Sequence, residues 1–138
     1  MGARRRARER ALQALYRLDL AGGTSGEALS DVIGLIEGGS SDEIKAFADR
    51  IINGVADNLE AIDEVIQGSS LNWRLARMAV VDRNVLRLAA FELLYCEDIP
   101  RKVTLNEAIE VGKRYGSEDS GAFINGVLDR IARSATKD

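Results

Sequence analysis

Histidine is absent from the 138 residues, and that absence removes more chemistry than any other. Without imidazole there is no Ser-His-Asp or Cys-His nucleophile system, no His-containing zinc site and no ordinary proton shuttle at neutral pH. The single cysteine, Cys96, cannot close an intramolecular disulfide, which excludes a disulfide scaffold and fits the reducing cytoplasm. It ends an apolar stretch beside Glu97 and Asp98, neighbours that oppose a thiolate, so a structural role is expected. Charges interrupt every apolar run well before the roughly 20 residues of a membrane span, and no apolar signal core follows the N-terminus. No GxxxxGK[ST] or GxGxxG phosphate loop occurs. The acidic pairs Asp42-Glu43 and Glu118-Asp119 stand where helix starts are expected, so dipole compensation explains them before a metal does. The chain is expected to be no enzyme and to carry no cofactor and no metal.

What is present describes a globular chain: 46% hydrophobic and 30% charged residues with one proline. The length suits one domain over 1–138, with a turn near Gly68 dividing halves 1–68 and 69–138. Strand alternation is missing and helical punctuation recurs, so the fold class is all-α, with about seven helices in two packed three-helix bundles. A first helix is predicted from Ala3 to Leu20, stopped by Gly22-Gly23. Capping-box spacings at Thr24–Glu27, Ser40–Glu43 and Thr104–Glu107 predict three further starts, the first opening a short helix that ends at Gly38-Gly39. Apolar residues recurring from Ile44 to Ile66 predict one long amphipathic helix. A helical stretch is expected to begin near Trp73; its continuation from Val85 to Cys96 is apolar nearly all round and belongs in the middle of a bundle. Pro100 follows it, Gly116 closes the next helix after Tyr115, and a last helix runs from about Asp119 to Arg133.

Charge is distributed unevenly. Residues 1–17 hold six arginines against Glu9 alone, a local charge of +5, which leaves −8 on the remainder of a chain whose net charge is −3. Attraction to a polyanion is therefore local. Arg4, Arg5, Arg6, Arg8 and Arg10 crowd a helix start, where the helix dipole disfavours cations. At about 100° per residue Arg6, Arg10 and Arg17 form one ridge opposite the Ala/Leu stripe, suited to phosphate contacts, although a solvated basic face reads equally well. Phe123 lies about 90° off the core stripe of its helix, on the flank of Asp119, and Tyr115 sits at the edge of its own. Such rings either stack on unpaired bases or pack partly buried. Asp119 is either a base-contacting acceptor or a helix-start acid.

Four segments in order resemble the bacterial NusB family of transcription antitermination factors: Arg4–Glu9 with Gln13–Tyr16, Val81–Ala89, Asn106–Glu110 and Phe123–Asp129. The resemblance covers nearly the whole chain and implies an RNA-binding adaptor that joins NusE, a ribosomal small-subunit protein, on boxA-type RNA of rRNA leaders. Within the RNA polymerase antitermination complex such an assembly resists termination. It implies RNA-facing positions at Arg4, Arg5, Arg6, Arg8, Arg10, Tyr16, Arg87, Tyr115, Asp119 and Phe123, and a NusE-facing surface around Asp82 and Arg83. The family includes monomers and homodimers, and a dimer can hide the arm; the sequence leaves that choice open, as it does the geometry of Gly22 to Ser40. A NusB-like domain also fronts rRNA cytosine methyltransferases, but no S-adenosylmethionine-binding segment follows Asp138, so that reading requires a fragment. A purely structural dimerisation domain is the remaining alternative.

Overall fold

In a computed structural model of the chain, the described residues are 2–22, 24, 26, 27 and 42–134. Among them are six α-helices and one 3₁₀ turn, and no strand occurs. They are α1 (Ala3–Ala21), α2 (Asp42–Asp57), α3 (Leu59–Ser69), the turn Leu75–Arg77, α4 (Val80–Tyr95), α5 (Arg101–Tyr115) and α6 (Ser120–Ser134). The all-α expectation holds. Of the helix expected after Gly22-Gly23, only the beginning is described: Thr24 Oγ1 accepts a hydrogen bond from the Glu27 amide at 3.2 Å. Its continuation to Gly38-Gly39, and the capping box at Ser40, lie outside the described residues.

α1 buries Ala7, Ala11, Ala14 and Leu15 on one stripe. It stops at Gly22, which adopts φ +75° and returns its amide to the Leu18 carbonyl at 2.9 Å. Only glycine takes that conformation without strain, so the stop is written in the residue type. α4 buries ten of its sixteen residues and touches each of the other five helices. Two three-helix groups share it, one with α1 and α2 and the other with α5 and α6, and their buried side chains join in one apolar cluster.

Three expectations need correction. The predicted long helix is broken at Asn58, whose amide turns back to the Val55 carbonyl while its side-chain Nδ2 donates to the Gly54 carbonyl at 2.8 Å. An asparagine side chain that competes for a backbone carbonyl in this way ends one helix and lets the next begin at a new angle. Apolar periodicity survives the break, because Val55 and Ile62 still bury on the same core. No α-helix begins at Trp73: Trp73 lies in the α3–α4 connection, where its carbonyl accepts from Ser70 Oγ and Gln67 Nε2. Finally, Thr104 is no cap. α5 already starts at Arg101 behind Pro100, and Thr104 Oγ1 donates inward to Glu92 Oε1 at 2.8 Å.

Candidate nucleic-acid interface

Helical phase divides the arginine run of α1 into two sets. α1 lies antiparallel to α4 and parallel to α5, as its ion pairs record. Arg8 Nε and Nη2 donate to the two carboxylate oxygens of Glu92 in α4, each at 2.8 Å, with the arginine 2% exposed and the glutamate 0%. Arg5 Nε and Nη2 donate to Glu107 of α5 at 2.6 and 2.5 Å. That bond holds the Glu107 carboxyl below its usual range, against the opposing effect of burial. These two arginines are internal ties. The expectation that Arg8 faces RNA is thereby corrected, since its guanidinium is closed off from solvent, while that of Arg5 is partly exposed and bound to Glu107 along its Nε–Nη2 edge.

The other set faces out. Arg6 is exposed, and Arg17 further along is exposed on the same ridge. Arg10 is half-buried, and its Nε is shielded from solvent without a hydrogen-bond partner. Arg4 is exposed and lays its guanidinium over the Phe47 ring, 4.5 Å from the centroid, a stacking that leaves the N–H edges usable. Tyr16 is 40% exposed, on the flank of this ridge.

The ridge continues onto α5. Arg114 Nη1 donates to Glu9 Oε2 at 3.2 Å, and its guanidinium lies 5.6 Å from the Tyr115 ring centroid. Burial, then the charge of Glu9, pushes the Tyr115 hydroxyl up, while Arg114 and Arg10 pull it down, so the phenol sits among all three charges. Tyr115 is half-buried, Phe123 half-buried and Asp119 exposed. Gly116 makes the join between α5 and α6 tight: a Cβ there would collide with Ser120. Ser120 Oγ accepts from the Ser117 amide and donates to Asp82 Oδ1 at 2.6 Å, which pins the start of α6 to the start of α4. Tyr115 adjoins the ridge through Arg114, Glu9 and Arg10, and Asp119 and Phe123 share the wall of one cavity.

Arg87 stands elsewhere. It donates from Nε and Nη2 to both oxygens of Asp63 at 2.8 and 2.9 Å, and Nη1 lies 3.2 Å from Asp19 Oδ2. It faces a separate cavity of about 380 Å³ between α1, α2 and α4, so its role here is a tie between helices. Asp82 is buried under Ser120, and Arg83 donates to Asp19 and to the Leu75 carbonyl. Asp19 is held below its usual value: burial opposes this, but the bonds from Asn84 and Arg83 and the charge of Arg87 outweigh it. Sequence reasoning missed Arg114, which lies one position before an aromatic, and Trp73 and Arg77, which share a cavity wall with Asp119 and Phe123 and were hidden by the assumption of a helix.

No helix among the described residues is long and apolar enough to cross a membrane, and none of these residues form a cluster of metal-ligating side chains. Fold and surface together define a small helical binding module with a basic edge and aromatic neighbours. The chain belongs to the NusB family, whose sequence pattern matches residues 5–133. It is 51% identical to the transcription antitermination protein NusB of Myxococcus xanthus, with 99% of each chain covered. It is 57% identical to that of Anaeromyxobacter dehalogenans strain 2CP-1, covering 94% of this chain and 89% of the relative. Among solved structures, NusB of T. maritima superposes with a TM-score of 0.87 at 44% identity, over 96% of this chain and 92% of that one. A structure of antitermination factors NusB and NusE in complex with dsRNA superposes at 0.88 and 28% identity, over 97% and 98%.

Proposed function

We propose that this chain is a transcription antitermination factor that binds RNA of the boxA type together with NusE and holds it near the elongating RNA polymerase in the cytoplasm. The observation that carries this reading is the guanidinium set of α1, with Arg4 and Arg6 exposed and Arg10 half-buried near Tyr115, on a NusB-family scaffold. Its work is binding, with affinity from phosphate contacts and selectivity from the rings and Asp119. Arg5, Arg8 and Arg87 support the surface from within by fixing α1 and α4, and Tyr16 extends it along α1. NusE would approach the α4 start, where Asp82 and Arg83 are held in place by Ser120 and Asp19.

A titration of labelled boxA-type RNA with the chain, with and without NusE, tests both partners at once. Binding that tightens when NusE is added and weakens steeply with salt supports the reading. Absence of binding at low salt under either condition overturns it.

A further inference from the structure

Glu9 is the one acid among the first 17 residues, which also hold six arginines. It is buried, and a carboxylate is costly to bury unless a cation holds it. The cation comes from another helix: Arg114 Nη1 donates to Glu9 Oε2 at 3.2 Å across the seam between α1 and α5. The pair is lopsided, the glutamate side chain 7% exposed and that of Arg114 60%. Nη1 is the only atom of this guanidinium with a hydrogen bond among the described residues, so the Nε–Nη2 edge stays open. The same guanidinium stands 5.6 Å from the Tyr115 ring centroid. An arginine already held in place gives up less rotamer freedom when it binds.

We propose that Glu9 is a positioning residue, its buried carboxylate holding Arg114 beside Tyr115 so that Arg114 supplies from α5 a phosphate contact additional to those of α1. The inference rests on the RNA-binding reading and adds to it a contact outside the arginine run, together with the residue that aims it. Phosphate is the ligand that fits. The open edge of Arg114 presents two parallel N–H groups that match phosphate oxygens, and the basic helix beside it draws the same polyanion. Charge gives the proposal a distinctive sign. Removing an acid from a basic surface should by itself tighten the hold on RNA. Removing an acid that aims an arginine should loosen it.

Labelled boxA-type RNA is titrated at several salt concentrations with the full chain, with Glu9→Gln, with Arg114→Ala and with the double variant, and denaturation midpoints are read alongside. Arg114→Ala should bind roughly tenfold more weakly, with the slope of log affinity against log salt flatter by about one. Glu9→Gln should bind about threefold more weakly despite its extra unit of positive charge, and should cause no further loss once Arg114 is gone. Tighter or unchanged binding in Glu9→Gln overturns the positioning role. A loss of equal size with and without Arg114 also overturns it, because it marks a general effect on the fold. Arg114 is exposed, so its variant keeps the test open even where Glu9→Gln fails to fold: unchanged affinity and salt slope in Arg114→Ala overturn the proposal and leave the RNA-binding reading standing. No binding by the parent chain at low salt, with NusE or without it, overturns both.

Discussion

Arg8 and Arg10 stand two residues apart in the same helix and lead opposite lives. Arg8 is closed off from water and clasped by Glu92; Arg10 is half-buried, with an Nε shielded from solvent that finds no hydrogen-bond partner. Arg5 and Arg6, adjacent in sequence, repeat the contrast, the first bonded to Glu107 and the second exposed. Composition treats these residues as one basic run, whereas the rotation of about 100° per residue sorts them into ties and contacts. A basic segment is thus two devices in one helix. The inner set fixes how α1 lies on α4 and α5, and that placement decides where the outer set points.

The sharpest way to break the comparison is to remove the inner partner. Arg8→Ala leaves the fully buried Glu92 carboxylate without its guanidinium, though still accepting from Thr104 Oγ1, and Glu92→Ala leaves the buried guanidinium the longer pair with Glu107 at 3.6 Å. Either change should cost about 3 to 5 kcal/mol of unfolding free energy, read from denaturant midpoints, because an uncompensated charge remains inside. Replacing both residues with methionine should restore most of the loss, since burying an ion pair is itself expensive. If Arg8→Ala instead kept full stability and lost only RNA affinity, Arg8 would belong with the outer set.

Glycines extend the contrast to packing. A Cβ on Gly54 would overlap the ring of Phe91 in α4, whereas one on Gly126, on the outer face of α6, would meet nothing within 4 Å. Gly54→Ala should therefore cost about 1 to 3 kcal/mol through overpacking. Gly126→Ala should be neutral or stabilise by up to about 1 kcal/mol through helix propensity. Thermal unfolding of the two variants separates the inner surface from the outer one, and equal effects would mean that the α2–α4 contact is looser than the geometry shows.

On the outer face the effect should move from stability to binding. Arg6→Ala with Arg10→Ala should leave the denaturation midpoint within about 0.5 kcal/mol of the parent, apart from any gain from relieving the orphaned Arg10 Nε. RNA affinity should fall for all sequences alike, and the slope of log affinity against log salt should flatten by about one per phosphate contact removed. An unchanged slope would take both residues off the RNA surface.

How much of this was legible beforehand follows from what each signal encodes. The stop at Gly22 and the start behind Pro100 were readable because the residue type itself dictates the backbone, whereas Gly116 is required by its close approach to Ser120. The basic ridge and the edge position of Phe123 followed from helical angle, and the structure resolves the open choice for Phe123 toward partial burial against the core. Partnership was not readable, because Arg8 meets Glu92 and Arg5 meets Glu107 only after α1, α4 and α5 have packed across gaps of 84 and 102 residues. The break at Asn58 was masked because the apolar period runs unbroken through it. Thr104 and Glu107 had the spacing of a capping box, yet the fold uses the first to satisfy Glu92 and the second to bind Arg5. Spacing specifies what a local pair can do, and tertiary neighbours decide whether it does so.

The smallest effect lies in acid. Arg5 holds the Glu107 carboxyl below its ordinary value of 4.5, so the folded state binds this proton less readily than the unfolded chain does. The stability from the pair is therefore fully present above about pH 4.5 and is lost as pH falls through the lowered folded value. Glu107→Gln should be less stable than the parent at neutral pH, by on the order of 1 kcal/mol for a partly exposed bidentate pair. The two proteins should converge as the pH drops. Asp98, held at about 2 by Arg50 on an exposed edge of the α4–α5 connection, should behave alike in Asp98→Asn. Its loss falls between pH 3.8 and about 2, and its amplitude is smaller because solvent and salt screen the pair. Denaturation midpoints measured across this range at low and high salt check both. Convergence of Glu107→Gln with the parent that disappears at high salt would move Arg5 from the inner ties to the solvent-exposed set.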